Sequence, residues 1–555
     1  MSGGNLAPSM QVACERWPAR PALTYRGGTL TYAQLWERVL SLAWAYRSLG
    51  VGPGDRVVCQ LPTCPEHLIA AAAAWACGAI HVGAHRDLTP HELTALVGRT
   101  QASAVVAQPP PALEDPRTHL QTVRAAHPST VLIGHGLAPV VEDGLAPVVE
   151  DGLAPGLSGV HLLSELLAAP SPHPTPPAAV GPEDTALLVR TSGTTGEPKL
   201  VLETLPALWA KMEFFAEAVR PGPDDVHLAY LPISHVFGLK LALMALASGG
   251  RVVCLDPFSP EAALRLVAAE GVTVLPGSPT HLTLLLQHLD AARYPVESLR
   301  WVVSAAAPLP PGLVPQVYER LGVEMLYVYG CSEGFLTRTT DPDEIRRGSV
   351  GRTVFRGSAV SPSVPPDGSV AVFDVDGSTP LPAGEVGEIV FGATRPVRYW
   401  REPPVATDGW YRSGDLGWLD NDGLLFVSGR LKEVINRGGL KVASGEIEVA
   451  LGEHPGVSDC AVVPAPDPVL GEAICACVVP ASPAPPTLSV LREHLHGRLA
   501  RHKLPDELCL LEAIPRSAVG KIDRTAVVAR VIEGGLPRER LRPLPQGPVP
   551  STRRP

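Results

Sequence analysis

Two rhythms of apolar and polar positions run along this chain. From Pro21 to Ala107, short apolar runs such as Arg56 to Leu61 alternate with longer helical stretches such as Tyr32 to Leu49. That alternation predicts an α/β layer. The apolar run Leu68 to Ile80 is too short for the roughly 20 residues that span a bilayer and predicts an Ala-rich core helix, so no membrane span is expected. The rhythm breaks between Pro109 and Pro182, where Pro, Ala and Gly dominate and the octapeptide GLAPVVED at Gly136–Asp143 recurs at Gly144–Asp151. Two and a half copies cannot build a solenoid, so residues 136–155 are expected to be a surface loop lengthened by duplication. Regular texture resumes at Thr185, and the apolar runs Val252 to Leu255, Val272 to Leu275 and Trp301 to Val303 each follow a helical segment, predicting parallel strands. After about Gly429 the pattern changes again, with strand signals at Cys460 to Val463 and Ile474 to Val479. The expected division is 1–428, a small domain at 429–531, and a disordered Arg- and Pro-rich tail at 532–555.

Composition sharpens this picture in three places. A net charge of -10 over 555 residues offers no basic field for a polyanion, so nucleic acid is not expected as a partner. Ten cysteines at scattered spacings fit neither a zinc knuckle nor a CxxC motif, and the N-terminus shows no basic patch followed by an apolar core. Reduced thiols in a cytoplasmic protein are the expectation. Only 7 lysines stand against 39 arginines, so those that remain (Lys199, Lys211, Lys240, Lys432, Lys441, Lys503 and Lys521) are candidates for chemistry that needs a compact ammonium.

One loop carries the strongest local chemistry. Thr191, Ser192, Gly193, Thr194, Thr195 and Gly196, closed by Glu-Pro-Lys199, follow the apolar run Ala186 to Val189. The glycines let backbone N–H groups approach an anion, the hydroxyls add donors, and Lys199 adds a charge. This describes a phosphate cradle, although a simple turn can have the same composition. The spacing is not that of a Walker P-loop.

Further segments follow in order: Leu231-Pro-Ile-Ser-His-Val-Phe-Gly-Leu239, Ser304-Ala-Ala-Ala-Pro-Leu309, Tyr329-Gly-Cys-Ser-Glu333, Tyr411-Arg-Ser-Gly-Asp-Leu-Gly417, Gly429-Arg-Leu-Lys432 and Pro515-Arg-Ser-Ala-Val-Gly-Lys521. With the 191–199 loop they resemble the adenylate-forming superfamily of acyl-CoA synthetases, aryl-CoA ligases, luciferases and peptide-synthetase adenylation domains. The resemblance covers roughly Arg16 to Arg530. It implies an α/β fold with a large N-terminal domain of layered subdomains, a small barrel-like subdomain near 345–428, and a small, mobile α+β C-terminal domain. The implied reaction joins a carboxylic acid to AMP from ATP with Mg2+, then passes the acyl group to coenzyme A or to the phosphopantetheine of an acyl or peptidyl carrier protein.

Residue roles carry over from the same resemblance. The 191–199 loop would hold the β- and γ-phosphates, Ser332 would contact the α-phosphate, Gly330 would also bind the nucleotide, and Glu333, with Thr194, would ligate magnesium. Tyr329 is similar to the aromatic that packs on adenine, Asp415 to the carboxylate that takes both ribose hydroxyls, and Arg430 would also reach the nucleotide. Lys521 resembles the lysine that bridges carboxylate and phosphate during adenylation. Lys432 occupies the hinge position, and Gly438 and Gly439 would line a pantetheine tunnel in a second, thioester-forming pose. Ser444 is expected to cap a helix starting near Glu446.

The resemblance counts Lys521, Glu333, His235 and Lys199 as catalytic, and the implied acyl pocket comprises His235, Val236, Phe237, Ser304, Ala305, Ala306 and Cys331. Amino-acid-activating relatives place an Asp where this chain has Val236, and an apolar side chain cannot offset desolvation of an ammonium. Ala305 adds a methyl as in benzoate-type ligases. A short apolar aryl, alicyclic or acyl acid is therefore expected. Leu200 and Glu203-Thr204-Leu205 depart from the family pattern, so the helix after the phosphate loop is expected to differ.

Overall fold

A computed structural model describes residues 6–110, 116–136, 159–178, 180–191, 199–290, 292–310, 312–334, 336–353, 369–375, 379–393, 397–406, 408–437, 440–496, 498–516 and 520–540. The repeat loop expected at 136–155 lies outside them from residue 137 onward.

Four sheets organise the described chain. In the first, eight strands run in the order Leu336–Thr339, Glu324–Gly330, Trp301–Ser304, Val274–Gly277, Val226–Ala229, Arg251–Cys254, Pro21–Tyr25 and Gly28–Thr31. All pairs are parallel except the two at the edges. The strands expected near 252, 272 and 301 are thus parallel members of one sheet, the middle one starting at Val274. A second sheet of seven strands runs from Val160–Leu162 through Arg56–Gln60 to Leu200–Thr204, and only its last pair is antiparallel.

Helices fill the space between these sheets because their apolar faces leave no alternative. Pro65–Ala76 is apolar all round from Leu68 onward and buried there on every side. Its Trp75 Nε1 donates to the Ala186 carbonyl at 2.8 Å, locking it against Thr185–Arg190. The predicted apolar run therefore divides: the helix stops at Cys77, Gly78 turns at φ +80°, and Ile80–Gly83 is a strand. Tyr32–Ser48 begins with a Thr31/Gln34 capping box. Its Tyr32 hydroxyl donates to the carbonyls of Leu246 and Gly250, fixing the far end of the helix Val236–Ala247.

Near 345–428, where a barrel-like subdomain was expected, the described residues form a four-stranded antiparallel sheet: Val370–Phe373, Gly387–Gly392, Trp410–Leu419 and Leu425–Arg430. A single turn, Leu431–Glu433, leads into the C-terminal sheet. The hairpin Val434–Arg437/Leu440–Ala443 opens that sheet, and Val457–Asp467 pairs with Gly471–Pro480 beside it. The helix expected near Glu446 starts earlier, spanning Ser444–Gly452. Ser444 is its first residue, with a buried Oγ that caps nothing, because the strand ending at Ala443 feeds straight into the helix.

Order also extends beyond the expected boundary at 531. A turn at Ala529–Glu533 and a short strand, Glu539–Arg540, continue the domain, the strand pairing with Glu507 and Leu508. The reason is electrostatic. Glu507 is buried, and Arg538 and Arg540 reach it at 2.6 and 2.9 Å. Residues 541–555 lie outside the described chain.

Candidate active site

Parallel strands end where loops must turn back, and those carboxyl ends are where open α/β sheets bind ligands. Three parallel strands of the first sheet deliver the sequence motifs there. Val226–Ala229 leads into Leu231–Phe237, Trp301–Ser304 into Ala305 and Ala306, and Glu324–Gly330 into Cys331, Ser332 and Glu333. The third sheet supplies Asp415 and Arg430 as directly opposed residues of one antiparallel pair. Lys521 arrives from the C-terminal domain.

These groups converge on one carboxylate. The Tyr329 hydroxyl donates to Asp415 Oδ2 at 2.7 Å, and Arg430 Nε lies 3.0 Å from Oδ1. Phe391 stacks beneath Tyr329, centroids 6.2 Å apart and planes 27° from parallel. Burial raises the Asp415 pKa, opposed by Arg430, the Tyr329 hydrogen bond and Lys521. The same desolvation pushes the Tyr329 hydroxyl well above its ordinary range.

Lys521 is held down from its ordinary value, first by burial and then by Arg430, while Asp415 and Cys331 oppose the shift. Its ammonium therefore sits in the field of residues from two other sheets. The preceding Gly520 has φ +80°, and a Cβ there would lie 3.2 Å from Ser278 Oγ. The Gly-Lys turn is thus closed onto the large domain at the end of Val274–Gly277.

Around this centre the other groups fall into place. Tyr399 donates to Glu333 Oε1 at 2.8 Å. The Lys199 ammonium lies 3.0 Å from Glu402 and 4.7 Å from the centre of the Tyr399 ring. The neck of the 191–199 loop is pinned in both directions, Thr191 N–H donating to the Lys199 carbonyl at 2.9 Å and Lys199 N–H to Thr191 Oγ1 at 3.1 Å. Ser192, Gly193, Thr194, Thr195 and Gly196 lie outside the described residues, as do Gly438 and Gly439. His235 caps the helix Val236–Ala247, its Nδ1 accepting from Phe237 N–H at 3.3 Å. Burial, with Lys521 and Lys240, pushes its pKa down to about 4, so the ring is neutral at physiological pH.

Comparison with known proteins gives this arrangement a family. The pattern of the AMP-binding enzyme family matches residues 10–396, and that of the AMP-binding enzyme C-terminal domain matches 446–521. The chain belongs to the AMP-binding enzyme family. It is 34% identical to a salicyl-AMP ligase / salicyl-S-ArCP synthetase of Mycobacterium tuberculosis, covering 96% of this chain and 91% of the relative. It is 32% identical to a 2-hydroxy-7-methoxy-5-methyl-1-naphthoate–CoA ligase of Streptomyces carzinostaticus, covering 95% and 93%. Among solved structures, ATP-bound MatB from Rhodopseudomonas palustris superposes with a TM-score of 0.79 at 26% identity, covering 95% of this chain and 98% of that one.

The residues expected to line an acyl pocket hold features that the motifs of this AMP-binding enzyme did not announce. Ala306 adopts φ +77°, a left-handed conformation that costs an alanine about 1–2 kcal/mol. Ser304 beside it is fully buried with an unpartnered Oγ, while Ala305 and Val236 are buried apolar walls. Sequence reasoning missed Tyr399, Phe391 and Glu402, which lie outside every motif and meet Glu333, Tyr329 and Lys199 only through tertiary folding. It singled out Lys211 and Lys240 by scarcity alone and gave them no role.

Proposed function

We propose that this enzyme condenses a carboxylic acid with ATP to an acyl-AMP, releasing pyrophosphate, and passes the acyl group to the thiol of coenzyme A. One observation supports the reading best: Lys521, from the small domain, stands half-buried in the field of Asp415 of the large domain and of Arg430 at the boundary between the two. An ammonium there can bridge an attacking carboxylate and the α-phosphate, two anions that otherwise repel. Asp415 offers two acceptor oxygens suited to a pair of ribose hydroxyls, and Tyr329 a face for adenine. Neutral His235 sits at the mouth of the acyl pocket without opposing the substrate's charge.

Glu333, oriented by Tyr399, is a hard oxygen donor that fits magnesium, with Thr194 as its partner in the phosphate loop. When bound, that ion neutralises triphosphate charge. Lys199 and the pinned 191–199 loop cradle the terminal phosphates. For the second half-reaction we assign residues 1–428 as the fixed body and 429–531 as the moving one, with Lys432 at the hinge and Gly438 and Gly439 along the pantetheine path.

The substrate class follows from Val236 and Ala305, which disfavour an α-amino acid and favour a compact aryl or alicyclic acid. The naphthoate and salicyl relatives support the same class. A second acceptor, a carrier-protein phosphopantetheine, is favoured by the salicyl-S-ArCP synthetase relative. Mass spectrometry of the purified protein with ATP, magnesium, coenzyme A and a panel of aryl, alicyclic and fatty acids tests this. Acyl-CoA from one class supports the ligase. Acyl-AMP without a coenzyme A ester shifts the reading to carrier loading, and turnover of palmitate but not benzoate-sized acids overturns the substrate class.

A further inference from the structure

Three ionisable side chains are buried together against the helix that carries Val236 and Phe237. Glu203, on the strand Leu200–Thr204, is 2% exposed; Lys211, on the helix Leu205–Val219, is 7%; Lys240, on Val236–Ala247, is 4%. Lys211 Nζ lies 2.6 Å from Glu203 Oε1. Lys240 has no ion-pair partner among the described residues; its Nζ lies 5.3 Å from the centre of the Phe215 ring. Two ammonium groups therefore share one carboxylate, and a buried unpaired charge is costly. Burial accordingly pushes the Lys240 pKa down to about 7, Lys211 adding to the shift while Glu203 and Cys331 oppose it.

The position of Lys240 ties this excess to the acyl site. It lies one helical turn beyond Val236 and three residues beyond Phe237, on the face those residues share. Phe215, under the Lys240 ammonium, also packs on Phe237 with centroids 6.1 Å apart. Cys331 is close enough to act on its titration, and Gly334, directly after Glu333, packs so closely on Lys211 that an added Cβ would lie 2.6 Å from its Nζ. The opposite face of the helix, Gly238, Leu241 and Ala242, turns instead to the sheet residues His227, Leu228 and Val274.

We propose that Lys240 is the counter-charge for a second acidic group on the substrate: an aryl or alicyclic acid carrying a further carboxylate or sulfonate, directed away from the carboxylate that is adenylated. This rests on the reading of the chain as an acid-activating ligase and narrows its substrate. Val236 and Phe237 supply apolar walls for the ring, and Lys240 receives the charged substituent at the far end. The nearby carboxylate, Glu203, is already engaged by Lys211, so Lys240 is left for the ligand. The same ammonium repels a substrate amine, in accord with Val236 standing where amino-acid activators carry an Asp.

The test is ATP–pyrophosphate exchange by the full-length protein with magnesium and benzoate, phthalate, isophthalate, terephthalate or 3-sulfobenzoate. In the wild type, at least one doubly anionic acid should exceed benzoate in kcat/KM by about 100-fold or more, as expected of a site whose buried polar group needs its partner. Lys240→Met should cut that ratio by a similar factor, mostly through KM, and Lys240→Arg should restore part of it. Benzoate equal to or better than every doubly anionic acid in the wild type overturns the proposal, and this arm stands even if Lys240→Met fails to fold. A ratio unchanged in a folded Lys240→Met overturns it as well. No exchange with any acid overturns the ligase reading itself, and this proposal with it.

Discussion

In the proposed reaction Lys521 is the residue on which adenylation should most depend, because its ammonium stands in the field of both Asp415 and Arg430. Lys521→Ala should lower acyl-AMP formation by about 10²–10³-fold, the loss typical of one transition-state donor. Pyrophosphate-exchange kinetics measure this, and near-wild-type exchange would exclude the assigned role. Ala306 makes a different residue-scale prediction, from backbone rather than charge. At φ +77° a β-branched side chain is far worse than alanine, whereas glycine is free. Ala306→Val should therefore lower stability by at least about 1 kcal/mol, and Ala306→Gly should not. Urea midpoints of the two variants give the comparison. The strain sits beside the expected acyl pocket, where such outliers concentrate.

Elements, rather than single residues, decide which half-reaction the enzyme is ready for. The Gly-Lys turn is closed on the start of the helix Pro279–His288, where Gly520 and Ser278 meet. A disulfide between Ser278→Cys and Gly520→Cys should hold that contact. The oxidised double variant should form acyl-AMP but lose transfer to coenzyme A by at least about 10-fold, and reduction should restore transfer. Transfer unaffected by oxidation would show that the small domain need not leave this pose. The linking turn Leu431–Glu433 is well placed for such motion. Arg524 ties Glu433 to Glu448 at 2.7 and 2.5 Å, so the linking turn and the helix Ser444–Gly452 are bound to each other through one guanidinium.

For the molecule as a whole, buried histidines set the response to acid. His67, His119 and His227 are buried and pushed from 6.5 down to about 4 by desolvation. A depressed pKa means that the unfolded chain binds protons the folded one refuses. Stability is then level above pH 6.5 and falls as the pH drops from 6.5 toward 4, by about 1.4 kcal/mol per pH unit for each such histidine. Urea midpoints at pH 7.5 and 5.0 should differ strongly; equal midpoints would mean that the rings are protonated within the fold.

Local order along the chain determined most of the architecture and the names of the site. Strands such as Arg56–Gln60 and helices such as Tyr32–Ser48 were legible because periodicity and caps act within a few residues. Asp415, Arg430, Glu333 and Lys521 were legible because each sits in a short contiguous motif that resembles the family's. Tertiary structure alone decided what charge and packing do across long separations. Tyr399 reaches Glu333 from 66 residues away, and Arg538 and Arg540 extend the last domain by pairing with the buried Glu507. Lys240 belongs to the same class. Scarcity marked it, yet its role depends on Glu203 being engaged by Lys211 and on burial beside the pocket, and desolvation exists only once the chain has folded around the charge.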